Sequence, residues 1–252
     1  MSCEKNFKIY NTEDCVCDSD NCSNCIGQIV IGTSNIKWKL EENSDGNIVS
    51  LLENNQNLSG VNLDNSDLDR VDLSGVNLSG SSFIGASLVS ADLRGANLNG
   101  ANLTFANLDK INLDGATLID SDLTDVLAAL AKISNASLNG AILTGANLIS
   151  ADIENSTLTD ASLNNANMFA VKLIGSDLTG ANLSNSNLTA ARLDGAILLL
   201  ANLSNTDLLG ARLDFFGTVN LAVGSTTPLN IPTGYTFAPA VPPATTPTLS
   251  KI

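Results

Sequence analysis

Histidine is missing from all 252 residues. Its absence removes the commonest general base, the serine and cysteine dyads built on imidazole, and every histidine metal ligand. Phosphate-loop and dinucleotide fingerprints are missing as well. No run approaches the roughly 18 apolar residues that a membrane span needs. The start, Met1-Ser-Cys-Glu-Lys, lacks the apolar stretch of a signal peptide. These absences predict a soluble, non-catalytic chain outside the secretory route, cytoplasmic or, if viral, in a virion. Positive charge is scarce: 12 Lys and Arg against 26 Asp and Glu leave a formal charge of −14. A negative field repels nucleic acid and anionic lipid, so direct binding to either is not expected.

Cysteine and proline are absent from most of the chain and concentrated at opposite ends. All five cysteines precede residue 26, and all six prolines follow residue 227. Such sharp shifts mark module boundaries. Four modules result: a Cys-rich arm (1–25), a β-hairpin cap (26–55), a long Leu/Ala/Asn/Gly region (56–215), and a carboxyl-terminal cap with a Pro/Thr-rich tail (216–252).

The long region repeats. From Leu58 to Leu213 every fifth residue is large and apolar, for 32 units without insertion or deletion. Leucine fills 27 of these central positions; the exceptions are Phe83, Ala128, Ile133, Ile153 and Met168. Two residues earlier stands a small or β-branched side chain, alanine in 18 of 32 units. A period of five fits neither a helix nor a flat strand. Each unit must therefore bend once, keeping one large and one small side chain inward. Asn or Asp precedes the central residue in 19 of 32 units, and Gly commonly follows two after it. Both types suit corners. A disordered tract would not space its leucines so regularly.

Units such as Ala96-Asn-Leu-Asn-Gly100 and Ala181-Asn-Leu-Ser-Asn185 resemble the pentapeptide-repeat family. The resemblance implies an all-β fold, a right-handed quadrilateral β-helix with four units per coil and the central residue inward. Eight coils at the strand spacing of about 4.8 Å would give a body about 38 Å long.

With four units per coil, central residues twenty apart share a wall. The wall through Leu63, Phe83, Leu103 and Leu123 is polar and nearly uncharged. The wall through Leu73, Leu93, Leu113 and Ile133 mixes signs, and Lys172, Arg192 and Arg212 would repel one another there unless Asp194, Asp214 or a partner's carboxylates compensate. The wall through Leu88, Leu108, Ala128, Leu148 and Met168 places Val89, Leu127, Leu130, Ile149 and Phe169 outward. Contiguous apolar surface usually touches something. Its cover is either the protein's own tail or another chain. In Val126-Leu-Ala-Ala-Leu130 the small centre and outward leucines suggest a local bulge.

A solenoid also needs capped ends. Gln28–Ile31, Ile36–Leu40 and Ile48–Leu52 read as strands, with Asp45-Gly46 turning into the third and Trp38 packed in this cap. Phe215, Phe216, Leu221 and Val223 are expected to close the last coil. Tyr235 and Phe237 sit in a Pro/Gly/aromatic stretch resembling one found near repeat blocks in some family members, which often dimerise through this end. Residues 238–252 read as an extended peptide, either disordered or laid along a neighbour. Cys15, Cys17, Cys22 and Cys25 form a candidate zinc site, with two disulfides or free thiols as rival states.

The expectation is a non-enzymatic structural or interaction protein that docks on protein partners and can self-associate. One version is an accessory component of a viral capsid or shell, suggested by the cysteine arm and long tail. The alternative is a DNA mimic of the kind that binds DNA gyrase in this family; net charge favours it, while the scattered acidic residues do not.

Overall fold

The computed structural model describes residues 57–213 in full, Pro228, Asn230 and 247–249 besides, and the backbone of six short strands. Residues 57–213 form a four-sided solenoid. Each residue before a central one pairs in parallel with its counterpart twenty residues on, from Asn57–Asn77 through to Arg192–Arg212. Four five-residue units therefore make one coil. We number the walls by their central residues: the first runs from Leu58 to Leu198, the second from Leu63 to Leu203, the third from Leu68 to Leu208 and the fourth from Leu73 to Leu213. The central residues and the small residues two before them line a continuous, buried interior.

Backbone accounting explains the rest of the repeat. In a typical unit, the central N–H bonds the next coil, as Leu68 does to the Ser87 carbonyl at 2.7 Å. The residue two after also bonds the next coil, and the residue just before bonds the previous one. The small inward residue closes the turn by donating to the central carbonyl three residues back, as Val61 does to Leu58. That uses four of five N–H groups. The fifth, on the residue just after the centre, points away from both ladders.

Asn and Asp supply its partner. At all 19 positions where one precedes the central residue, its side-chain oxygen accepts this leftover N–H. At six of the 13 positions occupied otherwise, a carboxylate or amide one coil earlier takes over. Asp64, Asp69, Asn99, Asp109, Asp114 and Asn139 cap Ile84, Val89, Ile119, Ala129, Ser134 and Thr159 respectively. The frequent Asn and Asp thus cap the backbone beside the corner instead of forming the corner itself.

The corner is the residue two after the centre. All 31 corners from Gly60 to Gly210 have positive φ, and only 13 of them are glycine. A turn closed by a three-residue hydrogen bond with positive φ at its third residue has the type II pattern. Asn and Asp tolerate this region, whereas Phe105, Leu130 and Leu200 occupy it at a conformational cost. Seven inward positions carry a buried hydroxyl instead of alanine or valine. Ser66, Ser81, Ser121, Ser156, Ser176, Ser186 and Thr206 each donate to the carbonyl of a central residue. Such satisfied hydroxyls avoid the penalty of an unpaired buried polar group.

The expected bulge at Ala128 does not occur. Ala128 is buried, its N–H reaches Asn147 at 2.8 Å, and the Leu127 carbonyl accepts from Leu108. The ladder survives because it runs through backbone groups that are indifferent to the central side chain's size.

Ahead of the solenoid, β1 (Ile29–Ile31), β2 (Ile36–Glu42) and β3 (Ile48–Leu52) form an antiparallel sheet in the order β1-β2-β3. Trp38 stands in register with Ile29 on one side and Leu52 on the other. Beyond the last coil, β4 (Thr218–Asn220), β5 (Tyr235–Ala238) and β6 (Thr248–Lys251) form a second antiparallel sheet with β6 in the middle. The reading of residues 238–252 as an extended peptide, free or on a neighbour, is corrected for 248–251, while 239–246 lie outside the described residues. Its end is a central strand, and Leu249 is fully buried within the solenoid's apolar core. An open leucine ladder at the last coil is the physical reason for such a cap.

Two predictions follow from the corners and caps. Phe105→Gly, at an exposed positive-φ corner, should stabilise the fold by about 1 kcal/mol, whereas Gly100→Ala, where a Cβ meets nothing, should cost about the same. Asn102→Ala leaves the Thr104 N–H without its 3.0 Å acceptor and should cost about 1 kcal/mol. Equilibrium urea denaturation checks all three variants.

Candidate docking wall and its charged edge

On the third wall, three outward columns run along the rod: the residue before each centre, the residue after, and the corner. Among side chains singled out from sequence, Leu127, Leu130 and Phe169 are 46%, 53% and 44% exposed, while Val89 and Ile149 are half-buried. Ile149 and Phe169 occupy the same column on adjacent coils, and Leu130 N–H donates to the Ile149 carbonyl at 2.9 Å. These residues therefore form one cluster across the fourth to sixth coils. Val89 lies apart, on the second coil.

Leu127 can point an apolar side chain outward because Asp109, one coil below, caps Ala129 at 2.8 Å. The duty normally performed by Asn or Asp at position 127 has moved to a neighbour. Lys132 is released in the same way, since Asp114 caps Ser134.

Sequence reasoning missed several exposed apolar side chains. Phe105 stands at the corner between second and third walls and is 62% exposed. Its signal was a bulky residue in the corner slot. Leu209 extends the third wall on the last coil, where Ile197, Leu199 and Leu200 are exposed on the first wall. Described tail residues meet this end: Asn230 donates to Asp207 at 2.9 Å, and Pro228 is buried.

The cations are confined. Among the described residues, Arg70 and Lys110 lie at the corner of the third and fourth walls, and Arg94, Lys132, Lys172, Arg192 and Arg212 lie on the fourth wall. The first and second walls have none. The crowding of Lys172, Arg192 and Arg212 is relieved much as expected. Asp194 accepts from both Arg192 at 3.3 Å and Arg212 at 3.2 Å, and Lys172 reaches Asp152 at 2.9 Å. Asp214 lies outside the described residues.

Burial pushes the Asp92 carboxyl up, but hydrogen bonds from the Arg94 side chain and backbone, with its charge, hold it below its ordinary 3.8. Asp152 behaves likewise: burial raises it, and Lys172, Ser134 and the Glu154 N–H bring it below 3.8. The hydrogen bond to Asp152 raises the Lys172 ammonium. Both acids are thus shifted away from the range of a general acid at neutral pH.

Cys15, Cys17, Cys22, Cys25, Phe215 and Phe216 lie outside the described residues, while Tyr235 and Phe237 are placed only as backbone of β5. No described helix is long and apolar enough to cross a membrane.

Comparison with known proteins agrees with this geometry. The profile of pentapeptide repeats matches in eight copies, spread over 57–126 and 130–214. The chain belongs to the pentapeptide-repeat family, and its solenoid is a right-handed quadrilateral β-helix. HetL of the cyanobacterium Nostoc sp. strain PCC 7120 is 35% identical, with a TM-score of 0.61 over 63% of this chain and 72% of HetL. HetL is described as involved in the regulation of heterocyst differentiation. QnrB1, a plasmid-mediated fluoroquinolone resistance protein, is 23% identical over 64% of this chain and 87% of its own, with a TM-score of 0.39. Rfr23 of the cyanobacterium Cyanothece 51142 is 25% identical over 62% of this chain and 89% of its own, with a TM-score of 0.21. The search of curated proteins gives no match.

The depressed carboxyls set a pH dependence. A carboxyl whose folded pKa lies below its unfolded value adds stability above the unfolded value and loses it as pH falls through the folded one. Thermal midpoints should therefore drop as pH falls below about 4, less steeply in an Asp92→Asn, Asp152→Asn double variant, as scanning calorimetry between neutral and acid pH would record.

Proposed function

We propose that this pentapeptide-repeat protein is a non-enzymatic scaffold that binds protein partners through its third wall. One observation carries the reading: Leu127, Leu130 and Phe169 are about half exposed on a wall whose backbone is held at every coil. A rigid wall loses little conformational entropy on docking, and clustered apolar side chains supply the burial that drives association. The regulatory involvement of HetL suits a protein that works by binding. Support for capsid or shell subunits as the partners comes neither from the relatives nor from the walls.

A gyrase-binding DNA mimic would need carboxylates in continuous rows, like a phosphate backbone. Among the described residues of the solenoid, carboxylates face each other on consecutive coils only at Asp72–Asp92. That pair lies on the wall that also carries most of the cations. The acidic residues are spent largely on backbone caps, which places them by hydrogen-bond need and not in rows.

The test is capture by tagged full-length chain, compared with an Ile149→Asp, Phe169→Asp variant whose fold is verified by circular dichroism. Proteins bound through this wall should be depleted more than about tenfold by the double variant, as expected when buried anchors are lost. Equal capture by both chains, and above all equal capture of gyrase subunits, overturns the reading.

A further inference from the structure

We infer that the third wall takes a cationic amphipathic α-helix of a partner protein, laid obliquely along Phe105, Leu127, Ile149 and Phe169; this rests on the docking reading above. The first three are spaced by 22 residues, one coil up and two residues along, and Phe169 stands one coil above Ile149. They trace a single line from the corner of the second and third walls, on the third coil, to the sixth coil. Three coils at about 4.8 Å and four residues at about 3.3 Å make that line roughly 20 Å long. About 13 residues of α-helix span the same distance.

The wall's backbone decides what form the occupant can take. The leftover N–H after the centre is capped by Asn or Asp in all eight units of the third wall, from Asp69 to Leu209. From the second to the seventh coil, every other N–H of this wall serves the ladder or a turn. An extended peptide laid on the wall would find no donor to pair with. The occupant must bring its own backbone satisfied, as a helix does, and bind through side chains. A stripe one side chain wide is also the contact that one helix, about 10 Å across, can make.

Charge selects the kind of helix. Over the first six coils, the third wall and its two corner columns hold four carboxylates, Asp67, Asp69, Asp109 and Asp125. Against them stand two cations, Arg70 and Lys110, both on the corner opposite Phe105. Asp109 and Asp125 flank Leu127, one from the coil below and the other two residues before it. Asp125 is exposed, and its carboxylate has no partner among the described residues. Asp109 gives one oxygen, Oδ1, to the Ala129 N–H at 2.8 Å and keeps the other for an incoming cation. A lysine or arginine on each flank of the partner's apolar stripe meets one of these acids, whereas an acidic helix would oppose both.

Phe105 is a second, independent sign of a ligand. Its φ is 60°, and it is 62% exposed. The same corner one coil below is Gly85, and one coil above is Asp125, so the fold does not call for an aromatic there. A bulky residue in this region costs stability, and an exposed ring recovers none of it by burial. Such strain gathers at binding sites. As the lower end of the stripe, the ring is an anchor of the type enriched at interface cores.

The probe is a labelled synthetic peptide of about 14 residues, leucines on one helical face and lysines elsewhere, titrated with purified full-length chain and read by fluorescence anisotropy. It should bind with a dissociation constant on the order of 20 µM and gain helical circular dichroism as it does. Two control peptides should not bind: one alternating leucine and lysine strictly, the other with glutamate for every lysine. Phe105→Gly should weaken binding about tenfold while raising resistance to urea, so loss of fold cannot be the cause. An Asp109→Asn, Asp125→Asn chain keeps a side-chain oxygen at both positions; it should bind several-fold more weakly, with a flatter salt dependence. No binding at about 500 µM chain, equal binding of the alternating peptide, or a Phe105→Gly chain that binds like the wild type overturns the inference. The docking reading is separable: if the peptide does not bind but captured proteins still disappear in the Ile149→Asp, Phe169→Asp chain, the helix is removed and the wall remains.

Discussion

One backbone N–H per five residues has no place in the coil-to-coil ladder, and the solenoid's surface is organised around satisfying it. Each capping bond contributes about 0.5–1.5 kcal/mol over leaving the donor to water, so the capped units together add stability comparable to that of a whole domain. Asn or Asp before the centre answers the need locally, through a side chain short enough to reach two residues on. Where another residue stands there, the oxygen often comes from the coil below. This exchange lets the surface vary: Leu127 and Lys132 occupy positions that Asn and Asp usually hold, because Asp109 and Asp114 do the capping from one coil away.

The same economy governs charge. Acidic residues are recruited as acceptors, so the solenoid gathers negative charge without arranging it in rows. Cations, having no capping use, are free to collect, and they do so along one edge and the wall beside it. There they pair with carboxylates at Asp92, Asp152 and Asp194, each pair exposed and individually weak. The result is a rod with two cation-free walls, one mixed wall, and one wall carrying an apolar cluster beside a basic edge. Identity of the outward residues, rather than shape, distinguishes the walls.

Much of the fold was legible in the chain because a period of five, held without a gap, admits few backbone solutions. The inward positions and the corner glycines were readable in this way, while the three strands ahead of the solenoid were readable from their short apolar runs. Capping was only half legible: Asn and Asp were recognised as turn formers, but their acceptor role needs the ladder to be laid out before the leftover donor becomes visible. The bulge expected at Ala128 failed for a related reason, since the hydrogen bonds that set the path ignore the size of the central side chain. Residues 248–251 were misread because four residues between prolines and a chain end carry almost no pattern. A partner strand on each side gives them their structure.

The chain by itself determined the repeat, the inward and outward positions, the charge balance and the apolar residues of the third wall, since each follows from residue type at a fixed spacing. The stacking of coils at twenty residues decided the rest. It determined which carboxylate caps which N–H, which cations share Asp194, and that Leu130, Ile149 and Phe169 form one cluster while Val89 stands apart. Those relations join residues about twenty apart, and only a coil of four units brings them within hydrogen-bonding or van der Waals reach.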